Sequence, residues 1–248
     1  MQILGLIGYP LTHSFSRKYF TQKFINEDIT NIEYVNFEIQ NISDFPKLLK
    51  NHPNIVGLNV TIPYKQQILD YVDEMDEVVK NMGAANTLII QKNNKIKAYN
   101  TDVYGFYESL LPLLNVHHKK ALILGTGGAS KAVAYSLDML SIPYLFVSRN
   151  PMNKNEISYA EMDKKRMDSY QIIINTTPLG TYPEISVYPD IPYNFINENH
   201  IFYDLTYNPV KSIFLKKAEA RGAIVYNGLK MLYLQAEKSW EIWSKKLS

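Results

Sequence analysis

Ala121-Leu122-Ile123-Leu124 is an unbroken apolar run that leads directly into Gly125-Thr126-Gly127-Gly128-Ala129-Ser130. A strand without polar alternation is buried on both faces, which is the situation of a strand inside a helix-covered parallel sheet. A helical pattern follows over residues 131–140, so the glycines occupy a strand-to-helix turn. Further β-type runs at residues 144–147, 171–175, 201–205 and 223–226 continue the alternation. This half of the chain is therefore expected to fold as βαβ units around a parallel sheet. Glycine in such a turn lets the backbone approach a pyrophosphate that rests against the helix N-terminus. The pattern departs from G-x-G-x-x-G, because Ser130 holds the last glycine position. Dinucleotide binding is the expectation, with a plain tight turn as its alternative.

The end of the next strand bears on which dinucleotide. An acidic residue about 20 positions beyond the glycines would hold ribose hydroxyls. This chain has Ser148-Arg149-Asn150 there instead. A guanidinium suits a 2′-phosphate as a fixed charge and a bidentate donor. A solvated surface arginine is the plainer alternative.

The N-terminal half also alternates. Strands are expected at residues 3–7, 32–37 and 56–62, with helices at 16–27, 42–50, 65–71 and 73–80. Runs at 87–91 and 95–99 flank Lys92-Asn93-Asn94 and read as a hairpin. A helix then runs from Val103 to about Leu114, and the last helical pattern covers Leu229–Leu247. These patterns describe two α/β domains, residues 1–103 completed by 229–248, and residues 104–228.

Composition removes several classes of function. The 248 residues carry a formal charge of only +2, so neither nucleic acid nor a membrane surface is expected as the main partner. There is no cysteine, which excludes disulfides, thiolate catalysis and Cys-ligated metal. His117 and His118 are adjacent and cannot share a helix face, while His13, His52 and His200 stand alone, so no metal site is expected. No apolar run approaches the ~18 residues of a membrane span, and residues 1–10 read as a strand rather than a signal peptide. A cytoplasmic protein acting on a small molecule is the expectation.

The most reactive-looking stretch is Asn59-Val60-Thr61-Ile62-Pro63-Tyr64-Lys65. Alternation places Asn59 and Thr61 on one strand face, and Pro63 stops the strand. Lys65 is then expected in the first turn of a helix, where the dipole disfavours a cation by about 0.3–1 kcal/mol. Taken alone, Asp102 reads as a helix cap, and Ser14 and Ser16 as ordinary serines before a helix.

In company, these segments resemble the shikimate dehydrogenase family over nearly the whole chain. The stretch from Gly8 to Ser16, GYPLTHSFS, is similar to that family's opening signature. NVTIPYK from Asn59 to Lys65, GAANT from Gly83 to Thr87, and Asn100-Thr101-Asp102 follow in the family's order. The glycine loop, NTTPLG from Asn175, YDLTYNP from Tyr203 and NGLKML from Asn227 continue it, with Gln235 after them.

The resemblance implies NADP-dependent reversible reduction of 3-dehydroshikimate to shikimate, without metal. It implies an N-terminal α/β substrate domain, a Rossmann-like doubly wound NADP-binding domain, and a final helix packing back on the first domain. Lys65 and Asp102 are the implied catalytic pair. Ser14, Ser16, Asn59, Thr61, Asn86, Tyr207 and Gln235 are the implied substrate contacts. Gly125, Thr126, Gly127, Gly128, Ala129, Ser148, Arg149, Asn150, Thr176, Leu205 and Gly228 are implied for NADP(H). Where the family often carries a second arginine after the cofactor-domain strand, this chain has Lys154. Alternatives are a quinate/shikimate dehydrogenase using NAD, a non-catalytic nucleotide-binding relative, and a methylene-tetrahydrofolate dehydrogenase-like enzyme. Either a monomer or a homodimer fits.

Overall fold

The structure is a computed structural model that describes residues 1–11 and 15–247. Contacts divide the chain into two compact units, Met1–Thr101 with Ala236–Ser248, and Asp102–Gln235.

The first unit contains β1 (Gln2–Gly8), α1 (Phe15–Asn26), β2 (Ile32–Glu38), α2 (Phe45–Asn51), β3 (Ile55–Val60), β4 (Glu74–Met75), α3 (Glu77–Met82), β5 (Thr87–Ile90) and β6 (Ile96–Tyr99). Its six-stranded sheet has the order β2-β1-β3-β5-β6-β4. β1 pairs parallel with β2 and β3, whereas β5 is antiparallel to β3 and β6. Alternation along β1 fills two cores. Ile3 and Ile7 face a cluster with Phe45, Leu58, Val60 and Ile68. Leu4 and Leu6 face another with Phe20, Phe24, Tyr34, Ala236 and Trp243. Residues 236–247 of the last helix thus pack on this sheet, where the Trp243 indole N–H donates to the Leu88 carbonyl at 2.9 Å. A β-carbon on Gly57 would lie 2.4 Å from Trp243 Nε1, so only glycine lets the indole lie there.

The second unit holds most of α4 (Thr101–Leu110), then β7 (Ala121–Leu124), α5 (Gly128–Met139), β8 (Tyr144–Ser148), β9 (Glu156–Ser158), α6 (Lys164–Ser169), β10 (Ile172–Asn175), β11 (Ile201–Asp204), α7 (Ile213–Glu219), β12 (Ile224–Asn227) and the start of α8 (Leu229–Leu247). The order β12-β11-β10-β7-β8-β9 is parallel throughout, which is the doubly wound arrangement. All four residues of β7 are fully buried, as the apolar run requires. Leu122 and Leu124 pack with Phe202, Phe214 and Met167, while Ala121 and Ile123 pack with Phe106, Val133 and Leu137.

Several local expectations are corrected. Residues 65–71 do not form an α-helix: Lys65 lies in a turn, and a 3₁₀ helix spans Gln67–Tyr71. The region of 73–80 instead places the short β4 before α3, with Asp76 capping α3 through Val79 N–H at 2.8 Å. Asp102 is not a cap but lies inside the first turn of α4. The short β9, α6 and α7 were not expected. Too few residues repeat in them to set a period, and side-chain caps from Asp163 and Ser212 start the two helices.

Candidate functional site

Within the second unit, a cavity of about 680 Å³ opens beside the glycine turn. Gly125, Thr126, Gly127, Ser148, Arg149, Asn150 and Thr176 line it, all of them singled out by the sequence. Gly125 has φ +99°, a left-handed conformation that favours glycine. Gly127 has an ordinary φ of −76°, and a β-carbon on Gly127 or Gly128 would meet nothing within 4 Å. Neither backbone conformation nor internal packing requires glycine at these two positions. What the missing side chains leave is open space over the start of α5, where unpaired backbone N–H groups favour an anion.

Arg149 is exposed at the end of β8 and has no ion-pair partner among the described residues. No carboxylate stands at that strand end, where Ser148 closes β8. The donor set fits a dinucleotide with a phosphate on its ribose. Gly128 and Ala129 begin α5 behind this wall. Leu205 and Gly228 meet elsewhere, since a β-carbon on Gly228 would lie 2.1 Å from the Leu205 carbonyl oxygen.

The first unit contains a buried polar network. Asn59 is 5% exposed, and its Oδ1 accepts from the Tyr34 hydroxyl at 2.7 Å. Its Nδ2 lies 3.2, 3.1 and 3.1 Å from the Asn86 carbonyl, Thr87 Oγ1 and Ser239 Oγ. Asn86 Oδ1 accepts the backbone N–H of Thr101, the first residue of α4. Thr87, Thr101 and Ser239 close the ring through their hydroxyls. Burial pushes the Tyr34 phenol well above the usual tyrosine range, against a hydrogen bond from Ser16. Sequence reasoning singled out Asn59, Asn86 and Ser16 here and included Thr87 only as the end of GAANT, but missed Tyr34 and Ser239, which look like ordinary strand and helix residues.

Lys65 is joined to the same region by its backbone, because its carbonyl accepts from Ala85 N–H at 2.7 Å. Thr61 is partly exposed just beyond β3, with its N–H bonded to the Ile7 carbonyl at 2.9 Å. Ser14 falls outside the described residues. In the second unit, Gln235 is 8% exposed and donates to the Leu232 carbonyl at 2.9 Å. Tyr207 is half-buried, which raises its phenol pKa.

Asp204, part of the YDLTYNP segment but given no role by sequence reasoning, is fully buried at the end of β11. It accepts from Asn175 Nδ2, Thr206 N–H and Ser212 Oγ. Burial raises its carboxyl pKa despite these bonds. It thereby ties together the loops after β10 and β11. Among the described residues no group of three or more His, Asp or Glu side chains is placed to hold a metal ion, and no helix is long and apolar enough to cross a membrane.

Comparison with known proteins gives this geometry its context. A family model for the shikimate dehydrogenase substrate binding domain matches residues 6–88. The chain is 38% identical to the shikimate dehydrogenase (NADP(+)) of Caldicellulosiruptor saccharolyticus, an alignment covering 98% of this chain and 92% of that protein. The chain belongs to the shikimate dehydrogenase family. Shikimate dehydrogenase 1 from Peptoclostridium difficile superposes with a TM-score of 0.83 at 35% identity, over 99% of this chain and 92% of that one. The Thermus thermophilus shikimate 5-dehydrogenase, solved with NADP(H) and shikimate, gives a TM-score of 0.86 at 25% identity, over 99% and 94% of the two chains. The two-sheet α/β architecture is thus that of the shikimate dehydrogenases.

Proposed function

We propose that this protein catalyses the NADP-dependent, reversible reduction of 3-dehydroshikimate to shikimate, a step toward chorismate and the aromatic amino acids. The observation that carries the reading is the cavity in which Arg149 has no internal counter-ion and Gly127 and Gly128 leave room over α5. NADPH, when bound, supplies the hydride. Residues 104–228 serve as its domain, with the glycine turn against the pyrophosphate and Arg149 on the 2′-phosphate. Ser148, Asn150 and Thr176 complete the wall, while Gly128, Ala129, Leu205 and Gly228 shape the turns around it.

All of the assigned substrate contacts except Tyr207 belong to residues 1–103 and 229–248. Hydroxyls of Ser14 and Ser16 suit its carboxylate, while Thr61, Asn86, Asp102, Tyr207 and Gln235 suit ring hydroxyls and the reacting oxygen. Asn59 spends its amide on internal partners, so it acts by holding the others in place. Lys65 Nζ donates a proton to the oxygen that becomes the alcohol, and takes it back in the oxidative direction. Asp102 orients that ammonium and the neighbouring hydroxyl. The reaction runs in the cytoplasm on a free small molecule, by a monomer or a homodimer.

The test is product formation. Purified protein given 3-dehydroshikimate and NADPH should consume both in equal amounts and yield shikimate, identified by NMR. NADPH binding without turnover would make the chain a nucleotide-binding relative instead.

A further inference from the structure

The cavity beside the glycine turn also carries an acid. Asp190 lines it together with Arg149, and neither has an ion-pair partner among the described residues. The function proposed above gives Arg149 a phosphate, and this further step rests on that reading. A carboxylate facing an anionic ligand is unfavourable unless the ligand offers it a hydrogen-bond donor, because an ionised carboxyl group can only accept.

The wall that presents Asp190 is held firmly. Pro189 and Ile191 on either side are buried. The Tyr193 hydroxyl donates to the Pro189 carbonyl at 2.8 Å. The Tyr188 and Tyr193 rings meet edge to face at 6.0 Å, and Lys217 Nζ sits 4.8 and 5.2 Å from their centroids. Two aromatic side chains, Tyr159 and Tyr188, line the same cavity. Tyr159 lies close enough to Arg149 to feel its charge. The cavity therefore combines flat apolar surface, one cation for a phosphate, and one carboxylate held on a braced wall.

We infer that Asp190 is a specificity-determining residue that accepts a hydrogen bond from the exocyclic 6-amino group of adenine, with Tyr159 and Tyr188 supplying the surface for the base. Among purines, a 6-amino group donates where a 6-oxo group accepts. A site built around that donor rejects the oxo analogue, because the analogue sets a carbonyl against the carboxylate.

The experiment compares NADP⁺ with nicotinamide hypoxanthine dinucleotide phosphate, which carries a 6-oxo purine. Kd values for both come from fluorescence titration, and kcat/KM values from shikimate oxidation, in the wild type, Asp190→Asn and Asp190→Ala. The wild type should favour NADP⁺ by roughly 10–150-fold, the value of a charge-assisted hydrogen bond. Asp190→Asn, which can donate to an oxo group, should bring the ratio near parity. Asp190→Ala should weaken NADP⁺ and erase most of the preference. Equal binding of the two dinucleotides by the wild type, or one unchanged ratio in all three proteins, overturns the inference. Discrimination in binding without shikimate turnover would support the role of Asp190 while refuting the proposed reaction. Failure to bind either dinucleotide would refute both.

Discussion

The Asn86 side chain grips Thr101, with its Oδ1 accepting the Thr101 backbone N–H at 2.7 Å and its Nδ2 donating to Thr101 Oγ1 at 3.0 Å. The first N–H groups of a helix have no partner within it, so Asn86 caps α4 from a distant segment. Its neighbour Ala85 binds the Lys65 carbonyl. One dipeptide thus anchors the backbone of both Lys65 and Thr101.

Replacing Asn86 by alanine should orphan the buried Thr101 N–H, while the Thr101 hydroxyl keeps Ser239 and Thr87 as partners. The expected loss is about 1–3 kcal/mol of unfolding free energy, measured by urea denaturation. kcat for shikimate should fall with it, while KM for NADP⁺ stays near wild type. Unchanged stability would show that this cap is dispensable.

For Lys65, proton transfer and substrate binding separate in the kinetics. A contact made chiefly in the transition state lowers kcat, whereas uniform binding raises KM. Lys65→Ala should lose about 10²–10⁴-fold in kcat, the usual reach of general acid–base help. If KM for shikimate rises sharply with kcat intact, Lys65 is a binding residue.

Arg149→Ala should weaken NADP⁺ by about 1.5–3 kcal/mol, the range for a charged hydrogen bond, and leave NAD⁺ nearly unchanged. Titration of both cofactors measures it. With Lys154 in place of a second arginine, the wild-type preference should be smaller than in relatives that carry both. Equal losses for the two cofactors would take Arg149 away from the 2′-phosphate.

His118 and His200 form matching turns ahead of β7 and β11. In each, ring Nδ1 accepts a backbone N–H, from Asn115 at 3.0 Å and from Asn197 at 3.2 Å. Burial lowers the His118 pKa, and the nearby His117 and His200 act in the same direction against a hydrogen bond to Asn199. A histidine held below its unfolded value of about 6.5 keeps the folded chain short of a proton that the unfolded chain takes up. Its contribution is whole above about pH 6.5 and is lost as pH falls from there toward the folded pKa. Thermal unfolding at a series of pH values should show this loss, and His118→Asn should flatten part of it. A variant with the wild-type slope would exclude His118 as a source.

Sequence and structure agree where local pattern decides. The four buried residues of β7, the left-handed Gly125 and the helix Leu229–Leu247 all follow from apolar runs and glycine placement. Lys65 shows where pattern fails. Its carbonyl bonds to Ala85, and Tyr64 N–H turns back to Thr61, so no α-helix starts there and the dipole argument does not apply. Asn59 shows the other limit. Its partners Tyr34, Thr87 and Ser239 stand 25, 28 and 180 residues away, and only the folded sheet brings them to its amide. Tyr159, Tyr188 and Asp190 reach the cavity beside the glycine turn through segments with no local motif.

The central claim is that this chain oxidises shikimate with NADP⁺, and one steady-state comparison tests it most directly. kcat/KM is measured for shikimate and for quinate, each with NADP⁺ and with NAD⁺. The combination of shikimate and NADP⁺ should exceed the other three, with quinate far behind under either cofactor. Equal rates on quinate, or a higher kcat/KM with NAD⁺ than with NADP⁺, would contradict it.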